Sequence, residues 1–249
     1  MEVKIEETLL KKIKEKGAIH MTLLDPQKTT PEICASIAEE AYKGGTSAIM
    51  VGGSTVASNS STDIAIKLIK QKIDIPVILF PNNISGISKY ADAIWFMSLL
   101  NSRNTYYIID IHALTAPVIK KSGLEVLPLG YIIIGTGEAA GFIGDAKGIP
   151  LDQPKIAVGY SMAAEMLGMR YVYLEAGSGA KSPVPLEMIS EVKKYLSIPL
   201  IVGGGIRTGE AAAAAVKAGA DIIVTGNLVE ETDRVRESIK DIVSHIESV

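Results

Sequence analysis

The sequence predicts one α/β domain, a (β/α)8 TIM barrel spanning residues 1–249, and three observations predict it. Short β-branched or aliphatic runs alternate with helical patterns along the whole chain, which implies parallel strands joined by right-handed crossovers. Eight such runs occur, the number that closes a barrel. A length of 249 residues is long for an average domain and usual for one barrel.

The elements follow in order. Residues 1–16 carry too many charges for a signal peptide and read as an amphipathic helix with Leu9, Leu10 and Ile13 on one side. Strands are predicted over 18–24, 48–51, 77–80, 93–97, 131–134, 171–175, 200–202 and 221–224. Helices are predicted over 32–42, 62–72, 155–167, 186–195, 210–218 and 234–246. Residues 44–53 echo 218–226, and 74–77 echo 197–200, so one βα unit recurs. Residues 135–154, rich in Gly and Pro, depart furthest from the pattern and read as an irregular insertion on the active face or at a subunit contact. Residues 95–104 run from apolar to polar, either core plus loop or an apolar wall leading to a polar mouth.

Hydrophobic residues make up 47% of the chain and charged residues 21%, which describes a globular protein with a large core. The net charge is −3 and Lys and Arg are scattered, so no nucleic-acid partner is expected. No apolar run approaches the ~18 residues of a membrane span. A mean hydropathy of +0.27 fits a buried parallel sheet and equally an apolar ligand channel. The single cysteine, Cys34, excludes an internal disulfide, fits a cytoplasmic location and reads as a buried structural thiol.

Two glycine turns, residues 202–207 and 224–227, each follow a strand and open toward a helix one βα unit apart. Glycine lets a backbone pass close to a ligand, and free N–H groups at such turns suit a phosphate. The last two strands of a barrel commonly hold one. Tight turns with no ligand are the plainer alternative.

On the sixth strand, Tyr171, Tyr173 and Glu175 share one face and Val172 and Leu174 the other. The apolar pair should meet the helices, leaving Tyr173 and Glu175 inside the barrel with Glu175 at its C-terminal rim, where catalytic groups collect. A buried salt bridge is the structural alternative for that carboxylate. Residues 176–180 form a third small-residue loop able to bring N–H groups and the Ser178 hydroxyl to a phosphate. On the first strand, Pro26 ends the pairing and leaves Asp25 at the rim, as a magnesium ligand or as a turn or helix N-cap residue. The Ser54 hydroxyl, on the adjacent strand end, could share the ion, since Mg²⁺ takes few protein oxygens alongside phosphates and water. His20, His112 and His245 have no spaced partner and read as surface or satisfied core residues.

Taken in order, Leu24-Asp25-Pro26, Gly52-Gly53-Ser54, residues 97–102, residues 144–147, Tyr173-Leu174-Glu175-Ala176-Gly177-Ser178-Gly179, residues 203–207 and Gly226-Asn227 resemble the geranylgeranylglyceryl phosphate synthases of archaea. Bacterial relatives as a rule have a lysine two residues before the aspartate; Leu23 stands there. The resemblance implies Mg²⁺-dependent transfer of a prenyl group from geranylgeranyl diphosphate to the C3 hydroxyl of sn-glycerol 1-phosphate, the step that makes the first ether bond of archaeal membrane lipids. It implies that Asp25 and Ser54 hold Mg²⁺. It implies that Tyr173, Leu174, Glu175, Ala176, Gly177, Ser178, Gly179, Gly204, Gly205, Gly226 and Asn227 hold the glycerol phosphate. Glu175, with Tyr173 beside it, would take the proton of the attacking hydroxyl. A homo-oligomer is expected; transient contact with a membrane surface stays open. A synthase of another chain length, a sugar-phosphate isomerase or lyase, a flavin barrel and a non-catalytic phosphate binder are the competing readings.

Overall fold

In the computed structural model, which describes residues 4–53, 59–230 and 232–249, eight strands pair in chain order and close on themselves. They are β1 (Ile19–Leu24), β2 (Ala48–Val51), β3 (Val77–Leu79), β4 (Ala93–Leu99), β5 (Glu125–Ile133), β6 (Tyr171–Glu175), β7 (Leu200–Gly203) and β8 (Ile222–Thr225). Every pairing is parallel, and β8 returns to β1 with Ile222 opposite Ile19. The helices are α1 (Ile5–Lys16), α2 (Pro31–Lys43), α3 (Asn59–Lys70), α4 (Ile111–Ser122), α5 (Glu138–Ile143), α6 (Pro154–Met166), α7 (Leu186–Lys193), α8 (Gly209–Lys217), α9 (Asn227–Glu230) and α10 (Val235–Glu247).

Alternation along each strand divides the apolar residues into an inner core and an outer shell. Met21, Met50, Trp95, Tyr171 and Tyr173 fill the interior. Val172, Leu174, Val202 and Ile223 pack outward with residues of α6, α7, α8 and α10. Both faces of the sheet are therefore dry, as parallel sheets require. The repeated segments occupy equivalent places: Gly45 and Gly219, two residues past α2 and α8, turn the chain into β2 and β8 with φ of +100° and +116°.

Two expectations need correction, and a third gains detail. In α1 it is Ile5, Leu9 and Ile13 that pack on the barrel interior, while Leu10 is 41% exposed. Leu9 and Leu10 lie about 100° apart around a helix, so only one can face inward. The N-terminus of α1 is held by Glu125 at the start of β5, whose carboxylate accepts from the N–H groups of Ile5 (2.5 Å) and Glu6 (3.0 Å). Strand β5 begins six residues earlier than expected, because Glu125 to Gly130 pair with β4 although Pro128 interrupts the apolar run. The 135–154 insertion is ordered: it carries α5, and it is stitched back to the barrel by bridges between Ile134 and Ile149 and between Ser102 and Ala146. Asn101 completes the stitch, its amide donating to the carbonyls of Ile133 (2.9 Å) and Lys147 (3.0 Å) while its Oδ1 accepts from the Ile133 N–H (3.0 Å).

Candidate functional site at the C-terminal rim

Three hollows meet at the C-terminal end of the barrel. The first is an apolar cavity of about 820 Å³, its open mouth included, walled by Leu23, Phe80, Met97, Leu99, Tyr107, Ile111 and Tyr131 and roofed by Ala140, Ile143 and Gly144 of the insertion. The second, of about 430 Å³, is walled by Tyr173, Ser178, Gly179, the 204–207 turn and residues 224–227. The third is a small recess at Asp25, Gly53 and Asn82. Glu175, Leu23 and Ser178 belong to both the first and second hollows, and Gly53 and Asn82 to both the first and third. The apolar segment 95–104 thus divides by depth: Trp95 is interior core, Met97 and Leu99 wall the cavity, and Asn101 and Ser102 clamp its roof.

Glu175 ends β6 opposite Gly203, facing inward and 6% exposed. Its Oε1 accepts from the Gly177 N–H at 2.6 Å, and the phenols of Tyr173 and Tyr131 act on it as donors that lower its pKa. Among the described residues no basic side chain pairs with it, so the salt-bridge alternative falls. Burial pushes its pKa up, and the three donors only partly oppose that shift. Burial first, and the Glu175 charge second, hold Tyr131 and Tyr173 well above the usual phenol value, so both remain donors. Tyr131 pairs with Tyr173 across β5 and β6; the rings meet edge to face at 5.2 Å, and Phe80 lies 5.6 Å from Tyr131. Sequence reasoning missed Tyr131 and Phe80, since an aromatic residue inside a strand looks like core packing.

The glycines at the end of β7 and just after it have a use the motif alone did not reveal. A Cβ at Gly203 would stand 2.1 Å from the Tyr173 hydroxyl, and one at Gly204 would stand 2.6 Å from Glu175 Oε1. Gly204 also has φ of +80°, where an L side chain is strained. These two positions make room for the acidic and phenolic groups. The helix that follows, α8, begins only at Gly209 and is capped by the Thr208 side chain accepting from Ala211 N–H at 3.2 Å, so its N-terminus is already engaged. Ser178 donates to Asn227 Oδ1 at 2.6 Å, joining the loops after β6 and β8 across the pocket. Arg207 also lines this pocket and donates to the Ala180 carbonyl at 2.9 Å, bringing a positive charge that the glycine motif contained without a role.

Not every expected contact can be made by a side chain. Leu174 and Ala176 pack outward against the helical shell, because strand alternation turns them away from the pocket. Gly177 gives its N–H to Glu175. Tyr173, Glu175, Ser178, Gly179, Gly204, Gly205, Gly226 and Asn227 line the second hollow together.

Asp25 is not a helix N-cap; Thr30 caps α2. Its Oδ1 accepts from the Gln27 N–H at 2.9 Å, the turn role, and a Cβ at Gly53 would fall 2.0 Å from its Oδ2. Ser54 lies outside the described residues. Among the described residues no three acidic, His or Cys side chains cluster; Mg²⁺ is an ion that takes one or two carboxylates and completes its shell with water and substrate phosphates. Asp25, in a small recess that opens onto the apolar cavity, offers one such carboxylate. His20 is a satisfied core residue, bonded at both ring nitrogens; His112 is buried and donates from Nε2 to the Met97 carbonyl at 2.7 Å, but its Nδ1 has no partner, so the expectation of a satisfied ring holds for only one of its nitrogens. His245 lies on α10 with Nδ1 2.8 Å from the Asp241 carbonyl. Cys34 is buried. Among the described residues no helix is long and apolar enough to cross a membrane.

Comparison with known proteins matches residues 10–246 to the PcrB family. The chain is 52% identical over 238 residues to the geranylgeranylglyceryl phosphate synthase of Methanobrevibacter smithii, covering 95% of each chain. It is 54% identical over 231 residues to that of Methanothermobacter marburgensis, covering 93% of this chain and 94% of the relative. Its fold superposes with a TM-score of 0.97 and 44% identity on a crystal structure of (S)-3-O-geranylgeranylglyceryl phosphate synthase from Thermoplasma acidophilum in complex with sn-glycerol-1-phosphate, covering 99% of this chain and 100% of that one.

Proposed function

The chain belongs to the PcrB family, and from that premise we propose that it is a geranylgeranylglyceryl phosphate synthase, a prenyltransferase joining geranylgeranyl diphosphate to the C3 hydroxyl of sn-glycerol 1-phosphate. The observation that carries the reading is Glu175, a buried carboxylate at the junction of an apolar cavity and a glycine-lined polar pocket. The polar pocket takes the glycerol phosphate and the apolar cavity the prenyl tail, so the attacking oxygen and the prenyl C1 meet at that carboxylate. A sugar-phosphate enzyme would have no use for the apolar cavity.

In the reaction the bond between prenyl C1 and the diphosphate oxygen breaks and its electron pair leaves with the diphosphate. The C3 oxygen forms the ether bond to C1, and its proton passes to Glu175. A carboxylate raised in pKa is the better base for this step, and such help is worth typically ~10²- to 10⁴-fold. Tyr131 and Tyr173 hold the carboxylate in position through their hydroxyls. Bound against the apolar walls of the cavity, the allylic carbon is kept from water, which would otherwise capture it. Asp25 would hold Mg²⁺ at the recess, with Ser54 as the second protein ligand that the family resemblance implies; the ion supplies positive charge that neutralises the diphosphate. Arg207 and the N–H groups of the glycine turns hold the glycerol phosphate.

We further place the enzyme in the cytoplasm as a single barrel domain that forms a homo-oligomer. Met166 and Leu167, 78% and 74% exposed at the end of α6, support association. The test of the function is turnover of labelled sn-glycerol 1-phosphate with prenyl diphosphates of several lengths, with and without Mg²⁺. Ether product formed fastest from the geranylgeranyl donor and only with the ion is expected; no ether product from any donor refutes the reading.

A further inference from the structure

Behind the phosphate side of the pocket lies a polar cluster that the reaction does not touch. His20, on the outer face of β1, is 2% exposed. Its Nδ1 lies 3.0 Å from the Thr46 hydroxyl and its Nε2 2.9 Å from the Thr225 hydroxyl. Thr22 donates to Thr46 at 3.1 Å, and the Thr46 hydroxyl lies 3.2 Å from the His20 carbonyl and 3.3 Å from that of Ala48. Thr225 ends β8, pairs with Thr22 of β1, and lines the second hollow immediately before Gly226 and Asn227.

The hydrogens can be assigned by counting. Burial pushes the His20 pKa down to about 3, so the ring is neutral and carries one proton. The Thr46 oxygen has a single hydrogen, which the two nearby carbonyls can take, and its lone pairs then accept from Thr22 and from the imidazole. That puts the ring proton on Nδ1 and leaves Nε2 as an acceptor. Thr225 must therefore donate to Nε2, which gives its side chain one orientation. An apolar residue at position 20 would leave that buried hydroxyl to find another partner.

We propose that His20 is a positioning residue for the phosphate pocket, its Nε2 taking the Thr225 hydroxyl and so setting the direction in which the chain leaves β8 as Gly226 and Asn227. The inference rests on the reading of that pocket as the glycerol phosphate site. It acts on binding of one substrate and leaves the carboxylate and the apolar cavity alone.

His20→Asn keeps a group where Nδ1 stands and loses Nε2; His20→Gln places one near Nε2; Thr225→Val removes the hydroxyl without changing shape. The experiment measures the Kd of each variant for sn-glycerol 1-phosphate by calorimetry, both KM values, kcat and Tm. His20→Asn and Thr225→Val are each expected to weaken glycerol phosphate binding about tenfold, the effect of roughly one net hydrogen bond. Their combination is expected to weaken it no further, with His20→Gln near the wild type and the KM for prenyl diphosphate within about twofold. Binding within twofold of the wild type in both single variants, or an equal rise in both KM values, overturns the proposal. Should His20→Asn fail to fold, Thr225→Val against His20→Gln decides alone. A wild-type protein that binds no glycerol phosphate overturns the pocket reading as well, which separates the two failures.

Discussion

The two halves of the barrel mouth are built by different means. Around β6, β7 and β8 the pocket is made from short strand-to-turn units, with glycine, serine and asparagine at the strand ends and Glu175 held by neighbours on adjacent strands. Around β3, β4 and β5 the cavity is made from ordinary core side chains, and it becomes a cavity only because a 20-residue excursion from β5 folds back over it. The polar half depends on backbone geometry and on single atoms; the apolar half depends on the volume enclosed between two elements. Damage to the first should be abrupt and specific, and damage to the second graded.

Glu175→Gln gives the sharpest contrast. It keeps the shape of the polar half and removes its base, so kcat should fall ~10²- to 10⁴-fold while glycerol phosphate still binds. A pH profile adds a second check. The base works only when ionised, so rate is lost as pH falls through its pKa, and burial puts that limb above the ordinary carboxylate value of 4.5. The limb should vanish in the Gln variant; full activity there would remove Glu175 from the mechanism.

Gly204→Ala comes next. The left-handed backbone alone costs about 1–3 kcal/mol, and its Cβ would press on Glu175 Oε1. Lowered Tm and lost turnover are expected together. Gly226→Ala, whose Cβ would meet only Leu23 at ordinary contact distance, is the control in the same half. It should keep its Tm and raise the KM for glycerol phosphate; a Tm loss equal to that of Gly204→Ala would mean that both glycines serve the fold alone.

Asp25→Asn probes the recess between the halves. Replacing the proposed charged ligand by a neutral side chain should raise the Mg²⁺ concentration for half-maximal rate by about tenfold, equivalent to about 1.4 kcal/mol. A Mg²⁺ titration superimposable on the wild type would clear Asp25 of the role.

Ile143→Ala, in the roof of the apolar half, should have the smallest effect. The side chain is 44% exposed, so only part of the ~0.8 kcal/mol per methylene applies, and the KM for prenyl diphosphate should rise severalfold with that for glycerol phosphate unchanged. A shift in the glycerol phosphate KM instead would show that the roof bears on the wrong half.

The polar half was legible because its chemistry is written locally: a carboxylate at a strand end, its inward direction set by alternation, and glycines where side chains cannot fit. The apolar half was not, because Phe80, Met97, Leu99 and Tyr131 have the composition of any buried strand, and nothing in a linear pattern separates a residue facing a void from one facing another side chain. The sequence by itself determined the order of eight strands, the inward face of β6 and the glycine turns after β7 and β8, since each follows from periodicity and local backbone chemistry. Only the tertiary structure decided that Gly203 and Gly204 clear space for Tyr173 and Glu175, that Tyr131 joins them, and that residues 135–154 roof a cavity. Those relations join residues distant along the chain, and only closure of the barrel brings them within contact.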